Sequence, residues 1–108
     1  MADPQLPLTP AVFQVLVALA NGERHGYALL KEVERQTDGR IRLSTGTLYG
    51  IIDRLLGDGL IADRTIRGRR LYRLTSLGRR TALAEADRLE ALLAQARASR
   101  ALRRPARA

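Results

Sequence analysis

Ser44-Thr45-Gly46-Thr47-Leu48-Tyr49-Gly50-Ile51-Ile52-Asp53-Arg54-Leu55-Leu56 carries the pattern from which the rest of the architecture follows. Ser44 is a good N-cap residue and Gly57-Asp58-Gly59 a stop signal, so the spacing predicts a helix running to about Leu56. On a helical wheel Leu48, Ile51, Ile52, Leu55 and Leu56 gather on one side, which is the expected buried face. Gly46 and Gly50 point almost directly away, flanked by Thr47, Tyr49, Asp53 and Arg54. Two glycines inside a helix cost roughly 1 kcal/mol each relative to alanine. A helix pressing its outer face into a groove gains from missing side chains there. The alternative is that Gly46 belongs to a relaxed first turn and Gly50 packs against a neighbour. Hydroxyls at Ser44, Thr45 and Thr47 surround the helix start, where they suit phosphate or base-edge contact, although capping alone accounts for Ser44. Tyr49 lies at the boundary, able to pack its ring and still send its hydroxyl to a phosphate. Asp53 on the outward side disfavours unselective phosphate contact unless an arginine pairs with it.

Downstream, Leu60 to Ile66 reads as a strand, Arg67-Gly68-Arg69 as a tight turn and Arg70 to Leu74 as the returning strand. Along the return, Tyr72 and Leu74 share a face and complete the core, while Leu71 and Arg73 face the other way. From Arg64 to Arg73 there are five arginines and no acid. Scattered cations on an edge strand deter aggregation, but three at the tip without a compensating anion go beyond that. Arg67, Arg69 and Arg70 are therefore expected to clamp a nucleic-acid backbone, adding affinity and salt dependence more than sequence choice.

Upstream, residues 1–8 form a Pro-rich extended lead-in. Thr9-Pro10 starts a first helix carrying Val12, Phe13, Leu16, Leu19 and Ala20 at helical spacing, closed by Asn21-Gly22. A second helix runs from about Gly26 to Gln36, and Thr37-Asp38-Gly39 is a turn. Ile41 and Leu43, separated by Arg42, suggest a very short strand. The order helix, helix, helix, hairpin, long helix is that of a mainly α chain with a small β-hairpin. It is the winged variant of the helix-turn-helix, whose third helix enters the major groove.

Thr75 caps the last helix, read as residues 76–98. Ala82, Ala86, Leu89, Leu93 and Ala96 form a 4-3-4-3 stripe widened by Leu83 and Leu92. In this reading residues 1–75 are the DNA-binding domain. The sixty residues preceding the helix form too small a body to cover that stripe along its whole length, so a second copy is its expected partner. Folding back across its own domain is the alternative. A homodimer suits a palindromic operator with half-sites one helical turn apart. Residues 99–108 form a basic tail expected to fray.

A chain of 108 residues holds one core. It has no cysteine and His25 is the only histidine, which leaves no thiolate or histidine metal cluster and no acid–base pair to nominate. An enzyme is therefore not expected, nor a cofactor. No apolar run spans a bilayer and the start lacks a signal-peptide layout, so a cytoplasmic protein without membrane contact is expected. The net charge is +8 and unevenly placed: residues 61–108 hold thirteen arginines against four acids, whereas the first sixty residues are near neutral. That asymmetry points to a polyanion, double-stranded DNA being the natural one. A winged-helix module binding the acidic surface of another protein is the competing reading.

The chain resembles the PadR family of bacterial transcriptional regulators. The resemblance is carried by His25-Gly26-Tyr27-Ala28-Leu29-Leu30, by Leu43-Ser44-Thr45-Gly46-Thr47-Leu48-Tyr49 continuing to Asp53-Arg54-Leu55-Leu56, by Gly57-Asp58-Gly59-Leu60-Ile61, and by Arg69-Arg70-Leu71-Tyr72-Arg73-Leu74-Thr75 with Gly78. It covers roughly residues 8 to 95, and the single final helix looks like the short branch of the family. The resemblance implies a homodimeric repressor, with the last and first helices joining the interface and a small, commonly aromatic effector sensed nearby. Leu71-Tyr72 stands where the family often has two tyrosines. The chain has no tryptophan and Phe13 is its only phenylalanine, so the aromatic stacking some relatives use for ligands is unavailable in that form. His25-Gly26-Tyr27 is read as structural, with His25 hydrogen-bonded near a helix start.

Overall fold

Three capped helices, a hairpin and a long helix follow one another in the computed structural model, which describes residues 6–102. Helix α1 (Pro10–Ala20) begins as its Thr9-Pro10 signal requires, with the Thr9 hydroxyl accepting from the Val12 N–H at 3.2 Å. Helix α2 is Gly26–Gln36 and helix α3 is Thr45–Gly57, the latter capped by Ser44, whose Oγ accepts from the Thr47 N–H at 3.1 Å. Strands β1 (Ile61–Ile66) and β2 (Arg69–Leu74) pair antiparallel, and helix α4 (Ser76–Ala98) follows, ending in a 3-10 turn over Arg100–Leu102. Residues 1–5 and 103–108, which include most of the lead-in and of the basic tail, lie outside the described residues.

The hairpin is tighter than its sequence suggested. Ile66 pairs with Arg69, so the turn has two residues rather than three, and β1 starts at Ile61 rather than Leu60. Arg67 and Gly68 both take positive φ, 52° and 79°, the backbone of the two-residue turn whose twist matches that of the strands. The short strand expected around Ile41 and Leu43 does not form. Both side chains are half-buried against the core and the intervening Arg42 is exposed; that alternation reflects packing of an extended segment, not strand pairing. The free edge of β2 is met instead by Arg24, in the connection between α1 and α2. Its N–H donates to the Tyr72 carbonyl at 3.1 Å and its carbonyl accepts from the Tyr72 N–H at 2.9 Å.

The core lies where α1, α2, α3 and the hairpin root converge. Val15, Leu16, Leu29, Val33, Leu48, Ile52, Leu55, Leu60 and Tyr72 are all buried. Phe13 stays half-buried and Ala20 exposed, so the buried stripe of α1 is carried by Val12, Val15, Leu16, Ala18 and Leu19. The start of α4 is pressed onto this body: the Thr75 hydroxyl accepts from the Gly78 N–H and donates to the Gly59 carbonyl at 2.7 Å. Further along, the molecule is drawn out to 59 × 33 × 21 Å as α4 leaves the body.

Glu85 is the last residue of α4 fully buried against the domain. Its carboxylate accepts from the Leu8 N–H at 3.1 Å and from two Arg88 nitrogens at 2.6 and 3.0 Å. The Arg88 guanidinium, opposed by burial and aided by the Leu8 N–H, holds the carboxyl below the usual carboxylate range. A depressed folded-state pKa contributes stability above the unfolded value, about 4.3 for Glu, and that stability is lost as pH falls through the lower folded value. Glu32, lowered by its Arg35 hydrogen bond, acts with the same sign. Glu85→Gln is therefore expected to lower the melting temperature at pH 7 and to flatten, without abolishing, its fall below about pH 5. An acid limb as steep as in the parent chain would contradict the assignment.

Candidate nucleic-acid interface

The buried face of α3 is set by Leu48, Ile52 and Leu55, and everything opposite is open. Ser44, Thr45, Gly46, Thr47, Tyr49, Gly50, Asp53 and Arg54 are all exposed. A methyl group built on Gly46 or Gly50 would meet nothing within 4 Å. Neither glycine is therefore there to admit a neighbour within the protomer. Ser44 and Thr47 are partly occupied with each other, Ser44 Oγ donating to Thr47 Oγ1 at 2.9 Å while capping the helix. Tyr49 leans back toward α2, where its hydroxyl takes the space that a side chain at Gly26 would need.

The wing carries its arginines in two states. Arg64 donates to Glu23 at 3.0 and 3.2 Å, and Arg70 is held by Asp63 across the hairpin while lying over the Tyr72 ring at 5.5 Å. The Asp63 hydrogen bond pushes the Arg70 guanidinium further up from its ordinary value, and burial does the same to the Tyr72 phenol. Arg67, Arg69 and Arg73 are exposed and have no acidic partner among the described residues. Arg70 is thus a wing strut as well as a surface cation, whereas Arg67 and Arg69 are free to meet a phosphate.

Tyr49 of α3 and Arg69 and Arg70 of β2 line one open recess of about 320 Å³, together with His25, Gly26 and Tyr27 at the start of α2 and Tyr72. Helix α3 and the wing therefore border one opening, with the start of α2 between them. His25 makes the hydrogen bond expected of it, but to the wing: its Nδ1 donates to the Arg70 carbonyl at 2.7 Å. Tyr27 is 69% exposed at the same opening. Neither residue stood out from the sequence as part of this open surface, where His25-Gly26-Tyr27 was read as structural.

The α4 stripe divides. Ala82 packs partly against the domain's own core, and Ala96 is half-buried. Ala86 is exposed, as are Leu83, Leu89, Leu92 and Leu93, at 58%, 40%, 49% and 55% for the four leucines. Among the described residues no helix is long and apolar enough to cross a membrane.

Three helices and a two-stranded wing, with an arginine-bearing hairpin beside an open third helix, define a winged helix-turn-helix protein of the DNA-binding class. The chain belongs to the transcriptional regulator PadR-like family, whose model matches residues 15–84. It is 38% identical over 82 residues to the transcriptional regulator Rv3488 of Mycobacterium tuberculosis, a match spanning 72% of this chain and 74% of that one. Its fold is shared by a winged-helix DNA-binding protein from STIV, with a TM-score of 0.71, 19% identity, and coverage of 82% of this chain and 96% of that one. Bacillus subtilis PadR, solved in complex with operator DNA, superposes with a TM-score of 0.63 at 24% identity over 78% of this chain and 48% of that one. The chain is accordingly a DNA-binding transcriptional regulator and not an enzyme.

Proposed function

We propose that this regulator works in the cytoplasm as a homodimeric repressor on a palindromic operator. The α3 residues Thr45, Gly46, Thr47, Gly50 and Arg54 read the major groove, while Ser44 and Tyr49 meet phosphates beside it. Arg67 and Arg69, with Arg70 behind them, clamp the flanking backbone. The observation that carries the reading is the bare outer face of α3, where Gly46 and Gly50 leave open space, on a helix whose Tyr49 shares a recess with Arg69 and Arg70 of the wing. Ala86, Leu89, Leu92, Leu93 and Ala96 are the proposed seam between protomers, with Ala82 at its inner end. The row of exposed leucines along an α4 that outruns its own domain supports that role. A small molecule that relieves repression is part of this reading and belongs where the α1 and α4 helices of two protomers meet.

Sedimentation of Leu93→Glu tests the seam. Placing a charge in the apolar seam is expected to shift the chain from dimer to monomer at micromolar concentration, with its melting transition still cooperative. It is also expected to weaken binding to an inverted repeat far more than to a single half-site. A dimer unaffected by Leu93→Glu would contradict this assignment of the interface. For the wing, Arg69→Ala is expected to weaken binding alike on all duplexes. It should also lower the slope of log K against log salt by about 0.9 for each phosphate that the variant no longer neutralises. A loss confined to one sequence would instead assign Arg69 to base reading.

A further inference from the structure

We propose that Asp63 is a brake built into the wing: it holds the Arg70 guanidinium as a DNA phosphate would, and so lowers the affinity of the chain for DNA of any sequence. This assignment rests on the wing-clamp reading above and gives an acidic residue a part in it. Asp63 on β1 stands opposite Tyr72 on β2, and Arg70, two residues before Tyr72, projects from the same side of the hairpin. Arg70 Nε donates to Asp63 Oδ2 at 2.8 Å, and one of its terminal nitrogens donates to the same oxygen. The guanidinium lies 5.5 Å from the centre of the Tyr72 ring, and the Arg70 carbonyl accepts from His25 Nδ1 at 2.7 Å. Main chain, stem and charge of Arg70 are thus all engaged within the protomer.

Arg70 is nevertheless placed where DNA would meet it. It lines the opening that Tyr49 of α3 and Arg69 also border, and its side chain is 51% exposed. The two neighbouring arginines differ in what a phosphate gains from them. Arg69 has no acidic partner among the described residues, so a phosphate reaching it displaces only water. At Arg70 the phosphate must displace a carboxylate, an oxyanion that already makes the same kind of charge-assisted hydrogen bond. While the pair stays closed, it presents no net charge to the backbone and neutralises no phosphate, so it releases no counterion.

Two neighbouring acids single out the Asp63 pair. Asp53, on the open side of α3, adds its field to the same guanidinium, which gives a role to a carboxylate on a face otherwise suited to DNA. Glu23 holds Arg64 instead. Arg64 follows Asp63 in β1 and so projects from the other side of the hairpin, and it does not line the opening beside α3. In a chain of net charge +8, sequence-independent attraction to any duplex is strong from the outset. Withholding one arginine beside the reading helix lowers that background without touching the α3 side chains.

Fluorescence anisotropy on one mixed-sequence duplex, over salt concentrations from about 50 to 200 mM, tests the brake with full-length chains. Asp63→Asn keeps the size of the side chain and an oxygen that accepts from Arg70, but not the charge. It is expected to bind about two- to fivefold more tightly per protomer, the range spanned by an exposed ion pair. Its slope of log K against log salt should be steeper by about 0.9 for each arginine released. Asp87→Asn, at an exposed position on α4, makes the same change in net charge and is expected to move both readings much less. Asp63→Asn combined with Arg70→Ala removes a neutral pair whole and should return the slope to that of the parent chain. An Asp63→Asn slope no steeper than that of Asp87→Asn overturns the proposal, as does a gain that survives without Arg70; both leave DNA binding intact. If Asp63→Asn fails to fold, the double variant, which carries no unpaired Arg70, decides: a slope shallower than the parent's shows Arg70 already on phosphate and overturns the brake. No binding by any variant at the lowest salt would refute the DNA reading itself, and the brake with it.

Discussion

Gly50→Glu is expected to leave a better-folded protein that no longer binds its operator. Position 50 lies in the interior of α3, exposed, with nothing within 4 Å of the place a side chain would start. Within the protomer the glycine is therefore a liability of roughly 0.5–1 kcal/mol. A glutamate there also stands four residues before Arg54, a favourable spacing for a helical ion pair. The melting temperature is expected to rise by a few degrees, since about 1 kcal/mol moves a domain of this size by roughly 4–8 °C. Against DNA the same side chain brings bulk and negative charge to the face proposed to enter the major groove, between two phosphate backbones, and like charges placed together cost several kcal/mol. At about 1.4 kcal/mol per tenfold, binding falls at least a hundredfold. Thermal melting and anisotropy on one preparation check both halves. Retained affinity would remove α3 from the interface.

Gly78→Ala should have the opposite signature: a damaged fold from one methyl group. Gly78 is buried in the first turn of α4, and a Cβ there would overlap the Leu60 carbonyl oxygen and come within 2.7 Å of Leu74 Cδ1. The carbonyl cannot step aside freely, because it accepts from the Thr75 N–H at 3.1 Å, next to the Thr75 hydroxyl bond to Gly59. Overpacking of this kind costs about 1–3 kcal/mol, and each hydrogen bond that gives way adds about 1 kcal/mol. The expected result is a melting temperature lower by roughly 10 °C or more. Gly46→Ala, in open space, provides the contrast and should not destabilise. Equal melting temperatures for the two alanine variants would contradict the packing described at the α4 junction.

The legible parts of the fold were those written in local chemistry. Thr9, Ser44 and Thr75 each announce a helix and each makes the hydrogen bond that caps it. The apolar spacing of Leu48, Ile52 and Leu55 told which side of α3 was buried and therefore which side was open. What the sequence hid depends on register and on distant partners. A three-residue turn at the wing tip would set Asp63 opposite Arg73; the two-residue turn sets it opposite Tyr72 instead, within reach of Arg70. One residue of turn length thus decides whether Arg70 is a free cation or a strut. The Arg24 bridge to Tyr72 involves backbone alone, so no side-chain pattern marks it. Nothing in the sequence singles out Glu85, and only its meeting with Leu8 and Arg88 makes it a buried anchor.

If two copies of this chain read an inverted repeat through α3, the DNA they select must carry that symmetry. Selection of bound duplexes from a random-sequence pool by the full-length protein, followed by sequencing, is the decisive measurement. The expected product is an enriched inverted repeat with half-site centres about 10–10.5 base pairs apart, or a multiple of that. Its affinity should be at least ~10³-fold above that for the unselected pool. A pool that returns no enriched motif, or one without two-fold symmetry, would contradict a dimer reading DNA through α3.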